Sequence, residues 1–419
     1  MRDALIIDAV RTPRGIGKVG KGGLAGMHPH QLAATVLVAL RERNAIDGTV
    51  VDDVIWSVSS QKGTQGGNMG RMAALDAGFD PGVPGVTLDR FCGGALTAIG
   101  FAAGQIMSGL GDCVIAGGTE MLSQINALAE AEYVAGIPQY GMGAGNDRLQ
   151  AAHPQSNQGV AADAIAAQEG ITRLELDRLG LESQRRAARA INEGRFARSI
   201  VPVRSDGGDL ILERDEYPRP ETTMEGLSAL KPAFARIADM PIGEGKPTYR
   251  QEINRRYPDL QIEPLHHAGN SSGVVDGAAA ILLASPEMTQ RMGWRPRARI
   301  VAVATVGDDP TLMLNAPVPA ARAVLEKARL SVDGIDLWEV NEAFAVVVEK
   351  FIRDLGLDRE TVNVNGGAIA LGHPVGATGA ILVGTLLDEL ERTGKRRGLV
   401  TMCAAGGMAP AIIIERCDD

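Results

Sequence analysis

The chain has 419 residues, 45% of them apolar, enough to bury a large core and to divide into two or three domains. Its 42 basic and 51 acidic residues give a formal charge of -9, which argues against a general nucleic-acid binder and leaves room for an anionic substrate on a local basic patch. Four cysteines, Cys92, Cys113, Cys403 and Cys417, form neither a disulfide framework nor a paired metal-ligand spacing, so free thiols and no metal are expected.

The start places acidic Asp3 before an apolar run too short for a signal peptide. No run approaches the roughly 18 consecutive apolar residues of a spanning helix. The expectation is a cytoplasmic protein with no membrane partner. Residues 4 to 10 (ALIIDAV) read as a strand, and residues 30 to 43 carry apolar side chains at helical spacing. VDDVIWSVS is the next strand candidate, and QGGNMGRMAALDAGF a glycine-rich turn entering a helix. VPGVTLDRF reads as a strand ending at Cys92, GGALTAIGFAAGQIMSG as a helix of small residues, and DCVIAGGTE as another strand. This alternation implies an α/β layer with helices against a sheet.

Residues 121 to 265 break the rhythm with charged helices and proline-punctuated loops, as an inserted, sheet-poor module would. The α/β pattern resumes at GNSSGVVDGAAAILL. RARIVAVATVG then reads as a strand, PAARAVLEKARL as a helix, IDLWEVNEAFAVVVEKFIRDLG as a strand running into a helix, and GLVTMCAAGGMAPAIIIER as two strands joined by a glycine turn. The last third thus repeats the scheme of the first, with TLDRFCGGALTAIG answered by NVNGGAIALGHPVGATG. Many of the 52 glycines stand as pairs at the ends of apolar runs, where turns or close backbone approaches fall.

Four residues stand where chemistry is possible. Cys92, between a strand and a small-residue helix, would meet unpaired N–H groups and a positive helix end, which favour the thiolate; an inert core cysteine fits the same spacing. His373, in the glycine-rich loop GGAIALGHPVGATG, is expected in an exposed or cleft position with a pKa suited to general-base work, or as a loop-bonding histidine. Cys403 before AAGG is either a second proton-transfer thiol or a core cysteine. Asn341 closes the strand IDLWEV and either bonds an oxyanion or caps the following helix.

Taken together, these segments resemble the thiolase family, the 3-ketoacyl-CoA thiolases and acetyl-CoA acetyltransferases. The resemblance runs through IDAVRTPRG, DRFCGG, AGGTE, GRFARSIVPV with DEYPRPETTMEGLSALKPAF, AGNSSGVVDGAAA, NEAFA, GGAIALGHPVGATG and CAAGG, in that order. It implies a duplicated α/β thiolase fold with a five-layered αβαβα core. The implied organisation is an N-terminal domain over 1–120, an inserted loop domain binding CoA over 121–265, a return segment over 266–290 and a C-terminal domain over 291–419. It makes Cys92 the acylated nucleophile, His373 its base and Cys403 the proton donor and acceptor for the carbon. Asn341 would hold a water that, with His373, stabilises the thioester oxygen. The backbone N–H groups of Cys92 and Ala405 would form the other oxyanion hole, with Ala405 where the family usually has glycine. Coenzyme A enters as a substrate and no cofactor is bound permanently. Ser272 in GNSSG becomes a pantetheine contact, Arg219 and Lys231 candidates for the phosphates. The assembly implied is a homodimer or homotetramer.

Three departures bear on specificity. NQGVAADAIA stands where acetoacetyl-CoA enzymes of the family commonly carry an HMG segment, which tilts the reading toward a degradative enzyme with a longer or bulkier acyl group. CGG replaces the usual CxS, so Gly94 removes a hydroxyl and is expected to leave room near the thiol. The stretch from Phe234 to Pro264 is longer than usual and reads as a surface excursion or as a cover for the substrate tunnel. An acetyl-CoA C-acetyltransferase acting on two-carbon units is the alternative within the family. A ketoacyl synthase or hydroxymethylglutaryl-CoA synthase lacks a second cysteine in the terminal turn, and a non-catalytic lipid-binding member would not combine all four residues.

Overall fold

The computed structural model describes residues 2–137, 142–143 and 145–418. In the first half, β1 (Leu5–Arg11) leads to α1 (Pro29–Arg43), β2 (Asp53–Ser57), α2 (Met69–Asp76), β3 (Gly85–Leu88), α3 (Gly94–Ser108) and β4 (Cys113–Met121). A long excursion follows, whose main helices are α4 (Gln158–Glu169), α5 (Arg173–Asn192) and α6 (Tyr249–Arg256). Its sheet content among the described residues is a small hairpin, Val203–Arg204 against Leu210–Leu212. β5 (Val275–Ala284) returns to the first half. The second half runs β6 (Ala298–Gly307), α7 (Pro317–Ala328), β7 (Leu337–Val340), α8 (Ala345–Leu355), α9 (Thr378–Thr393), β8 (Arg397–Thr401) and β9 (Met408–Arg416).

The strand order shows the duplication. The first half is ordered β3-β2-β4-β5-β1 and the second β7-β8-β9-β6. In each, parallel pairing gives way to antiparallel pairing where the chain returns: β4 meets β5 antiparallel, as β8 meets β9. A parallel bridge from Trp338 to Val362 extends the second half at the position β3 holds in the first. The halves join edge to edge where Leu5 and Ile6 pair with Arg299 and Ala298.

Five layers follow from which faces are apolar. β4 is buried along its whole length, as expected of a strand covered on both faces. α1 and α2 cover the outer face of the first sheet, α7 and α8 that of the second, and α3 and α9 lie between and touch both. A helix packed on several sides needs small residues. A Cβ on Gly379 of α9 would lie 2.2 Å from the backbone nitrogen of Leu96 on α3, so glycine sets how closely the two central helices approach. Phe91–Ser108 reaches a mean hydropathy of 1.3 over 18 residues, long and apolar enough by composition to cross a membrane, and its helical part here is α3, one of the two central helices.

Around the excursion, helix starts are locally specified. Thr172 and Glu175 form a capping box on α5, and Thr248 and Gln251 form another on α6. The excursion is bolted to the first half by a buried bidentate pair, Arg11 with Asp215, whose carboxylate also accepts from the Arg14 backbone.

Candidate active site

Cys92 sits in a single 3-10 turn, Phe91–Gly93, four residues past the end of β3, which therefore stops short of the cysteine. Phe91 has φ +47°, a left-handed conformation that costs an aromatic residue about 1–2 kcal/mol. The Asp89 carboxylate helps hold it by accepting from the Phe91 N–H. The next two residues leave no space for side chains: a Cβ on Gly93 would lie 2.8 Å from Pro410 of β9, and one on Gly94 would lie 1.9 Å from the Ser57 hydroxyl. Gly94 therefore opens no extra room beside the thiol, because Ser57 of β2 already fills it.

The sulfur is buried, and the nearby backbone N–H groups of Cys92 and Ala405 favour the thiolate. Burial outweighs them and, with the Glu120 and Asp89 carboxylates, pushes the thiol up to about 12. The expectation of a thiolate stabilised by the helix end is thus overturned, since losing water costs the anion more than two N–H groups return.

His373 precedes α9 much as Cys92 precedes α3. Its backbone N–H donates to the Gly273 carbonyl and its ring is buried, which excludes the exposed one of the expected positions. The ring Nδ1 lies 2.6 Å from the Thr378 hydroxyl, which itself donates to the Pro374 carbonyl. A hydroxyl that has given its proton to a carbonyl accepts from the ring, so Nδ1 carries the imidazole proton and Nε2 presents a lone pair. Burial, followed by the nearby Arg14 charge, pulls His373 down to about 3, so the imidazole is neutral at ordinary pH.

Asn341, fully buried at the end of β7, places its Nδ2 3.4 Å from His373 Nε2. It caps no helix, because the N-cap position of α8 falls on Phe344. Cys403 lies in the tight turn between β8 and β9, closed by Ala404 N–H to Met408 O at 2.7 Å. Burial and then the adjacent Cys92 raise its pKa above the ordinary thiol range. The 3-10 turn of Cys92 packs against both β9 and α9, so the second half closes over the cysteine. The four cysteines are all free; Cys113 lies in β4 and Cys417 is half-buried near the end of β9.

Three residues assigned no role in the sequence hold this arrangement. The buried Glu120 carboxylate accepts from the N–H groups of Ser59, Ser60 and Gly376 and from Gln65 Nε2, at 2.9 to 3.1 Å, tying the loop after β2 to the His373 loop. Arg14 donates to the Gly372 carbonyl at 3.0 Å. Thr378 sets the imidazole tautomer. Glu120 and Thr378 stood inside motifs, AGGTE and GHPVGATG, but their partners lie across the fold or depend on a local turn.

The three CoA candidates gather along one segment. Ser272 donates its N–H to the Ala343 carbonyl, one residue from Gly273, which bonds His373. Gly273 lies under the Tyr217 ring, and Arg219 stacks on that ring at 5.1 Å. Gly269 lies under Leu227 and Leu230, next to exposed Lys231. The excursion thus drapes its 217–231 loop over 269–273. The long 234–264 stretch is not a bare surface loop: with Asn157 and Gln158 at the start of α4, residues such as Lys246, Tyr249 and Arg255 enclose a cavity of about 770 Å³.

This fold, with a thiol, a fixed imidazole, an amide and a second thiol around its central helices, defines an acyl-transfer enzyme of the thiolase kind. The family models for the thiolase N-terminal and C-terminal domains match residues 4–238 and 294–416, and the chain belongs to the thiolase family. It is 40% identical to a beta-ketoadipyl-CoA thiolase of Pseudomonas aeruginosa over 99% of each chain. It is 41% identical to a steroid 3-ketoacyl-CoA thiolase of Mycobacterium tuberculosis, covering 99% of this chain and 95% of that one. The crystal structure of the Bacillus anthracis acetyl-CoA acetyltransferase superposes with a TM-score of 0.81 at 33% identity, over 100% of this chain and 99% of that one. The protein is an acyltransferase.

Proposed function

We propose that the protein is a degradative 3-ketoacyl-CoA thiolase, cleaving a 3-ketoacyl-CoA with CoA to acetyl-CoA and a shortened acyl-CoA through an acyl-Cys92 intermediate. The observation that carries this reading is the packing of the Cys92 turn against β9 and α9 of the second half, beside Cys403, with a neutral His373 whose Nε2 faces the Asn341 amide at 3.4 Å.

His373 Nε2 takes the Cys92 proton as the sulfur attacks the 3-keto carbon. The developing oxyanion meets the N–H groups of Cys92 and Ala405, donors already in place. Because the thiol is pushed up and the imidazole down, the resting pair is neutral, and proton removal accompanies attack. The C2–C3 bond then breaks and its electron pair passes to C2, with the thioester oxygen held by Asn341, its water and His373. Cys403 protonates C2, releasing acetyl-CoA. The thiol proton of incoming CoA restores Cys403, the CoA sulfur displaces the acyl group, and the proton on His373 returns to Cys92. Ser272, Arg219 and Lys231 hold the CoA.

A longer or bulkier acyl tail than acetoacetyl is supported by NQGVAADAIA in place of the HMG segment and by relatives named for beta-ketoadipyl-CoA and steroid 3-ketoacyl-CoA. The test is CoA-dependent cleavage of matched 3-ketoacyl-CoAs, from acetoacetyl-CoA through medium chains to a bulky cyclic member. Preference for the longer or cyclic members is expected; preference for acetoacetyl-CoA would make the protein an acetyl-CoA C-acetyltransferase. The same reading places it in the cytoplasm as a homodimer or homotetramer, which fractionation and light scattering check.

A further inference from the structure

Behind Asn341 and Thr378 the structure encloses a small cavity with about 10 Å³ open to a water's centre, roughly the minimum that one water requires. Arg14, Glu339, Asn341 and Thr378 line it, together with the 366–372 loop and the first turns of α9; neither Cys92 nor Cys403 does. Three polar atoms of those residues are buried with no hydrogen-bond partner among the described residues: Arg14 Nε, Glu339 Oε2 and Asn341 Oδ1. Their residues are 4%, 2% and 0% exposed. Left unmet, each such atom costs about 1–3 kcal/mol.

The three needs add up to one molecule. Arg14 Nε–H must donate, Asn341 Oδ1 must accept, and Glu339 Oε2 can complete a third bond. A water receives the first and gives to the other two, matching the roughly three bonds of a typical buried water. We propose that this cavity holds one structural water bridging Arg14 Nε, Glu339 Oε2 and Asn341 Oδ1, and that Glu339 and Arg14 thereby act as positioning residues for the Asn341 amide.

The consequence is an amide that cannot turn over. With Oδ1 held toward the cavity, Nδ2 faces the lone pair of His373 Nε2, as observed at 3.4 Å. The reversed amide would set oxygen against that lone pair and turn an NH2 group toward Arg14. This water differs from the one that the family resemblance places between Asn341 and the thioester oxygen, which is on the substrate side. Burial, reinforced by Glu342 and Glu389, also pushes the Glu339 carboxyl well above the carboxylate range, so it can meet the water as donor or acceptor.

The positioning role rests on the reading that Asn341 and His373 stabilise the thioester oxygen; the water itself does not. The first test is a crystal structure of the whole protein at a resolution that shows ordered water. One density peak within hydrogen-bond reach of all three atoms is expected, and an empty cavity or a reversed amide overturns the proposal. The second compares Glu339→Leu with Glu339→Gln. Glu339→Leu is expected to lose the peak and to lower kcat for 3-ketoacyl-CoA cleavage about tenfold with KM little changed, and Glu339→Gln to recover most of it. An unchanged kcat in a folded Glu339→Leu enzyme that has lost the peak overturns the positioning role. Should Glu339→Leu not fold, loss of cleavage without loss of the peak in Glu339→Gln does the same. If wild-type protein forms no acyl-Cys92, the thiolase reading fails while the crystallographic outcome still decides the water.

Discussion

The two halves of the chain repeat one topology and spend it differently. Between β4 and β5 the first half runs from Leu122 to Val274, an excursion tied back to β1 by the Arg11–Asp215 pair. Between β8 and β9 the second half has a turn from Met402 to Gly407, and Cys403 stands in it. One connection has grown until its 217–231 loop lies over its own 269–273 segment, and the other has stayed minimal and carries a thiol. The central helices differ in a parallel way. Cys92 is set by steric means, a left-handed Phe91 and glycines wedged against Pro410 and Ser57, whereas His373 is set by hydrogen bonds: its ring N–H donates to Thr378, Arg14 donates to the Gly372 carbonyl and the Gly376 N–H donates to Glu120. A duplicated fold thus holds its nucleophile by shape on one side and its base by polar bonds on the other.

That contrast can be broken by experiment. Cys92→Ser removes what the first half contributes and is expected to lower turnover by at least ~10³-fold and abolish acyl-enzyme, with the fold retained. Mass spectrometry of the intact protein after acyl-CoA treatment checks it, and unchanged turnover would sink the mechanism. Cys403→Ser removes a contribution of the second half. Carbon–carbon cleavage should fall by about 10²-fold or more while Cys92 still takes an acyl group from a simple acyl-CoA. Equal loss of both would end the proposed division of labour.

Thr378→Val sharpens the polar side of the comparison. It keeps the shape of the side chain but frees the imidazole tautomer, and kcat should fall about tenfold with little change in KM. A loss confined to KM would show that Thr378 serves binding instead. The smallest effect concerns the pH dependence of Cys92 alkylation by iodoacetamide. An ordinary thiol is half ionised near roughly pH 8.5 and levels off above about pH 9.5. With Cys92 pushed up to about 12, the thiolate fraction keeps growing with pH, so alkylation should still be rising at pH 10. A plateau near neutrality would restore the helix-end thiolate that burial overturns here.

The fold was legible because period and punctuation change along the chain. Residues 4 to 10, 113 to 121 and 298 to 307 are apolar runs of strand length, and the helices between them show their spacing. Cys92, Cys403 and His373 were legible because reactive residue types stood near glycine pairs, and Asn341 because it closes an apolar strand. What escaped was long-range. Glu120 meets Ser59 and Gly376 from 61 and 256 residues away, a pairing no local pattern carries. The directions of the Cys92 and His373 shifts escaped for the same reason, because desolvation is set by what packs around a group. Gly94 misled because the atom filling its place, the Ser57 hydroxyl, belongs to another strand.

The edge-to-edge seam has a further consequence for how the molecule is made. β1 is synthesised well before its neighbours β5 and β6, and Thr12 bonds Ala278 across 266 residues. At roughly 5–20 residues per second, a ribosome takes about 13–53 s to deliver that partner. During that interval β1 has neither ladder, so this apolar segment is the part of the nascent chain with most to gain from a chaperone, and refolding should be slow for a protein of such distant pairings.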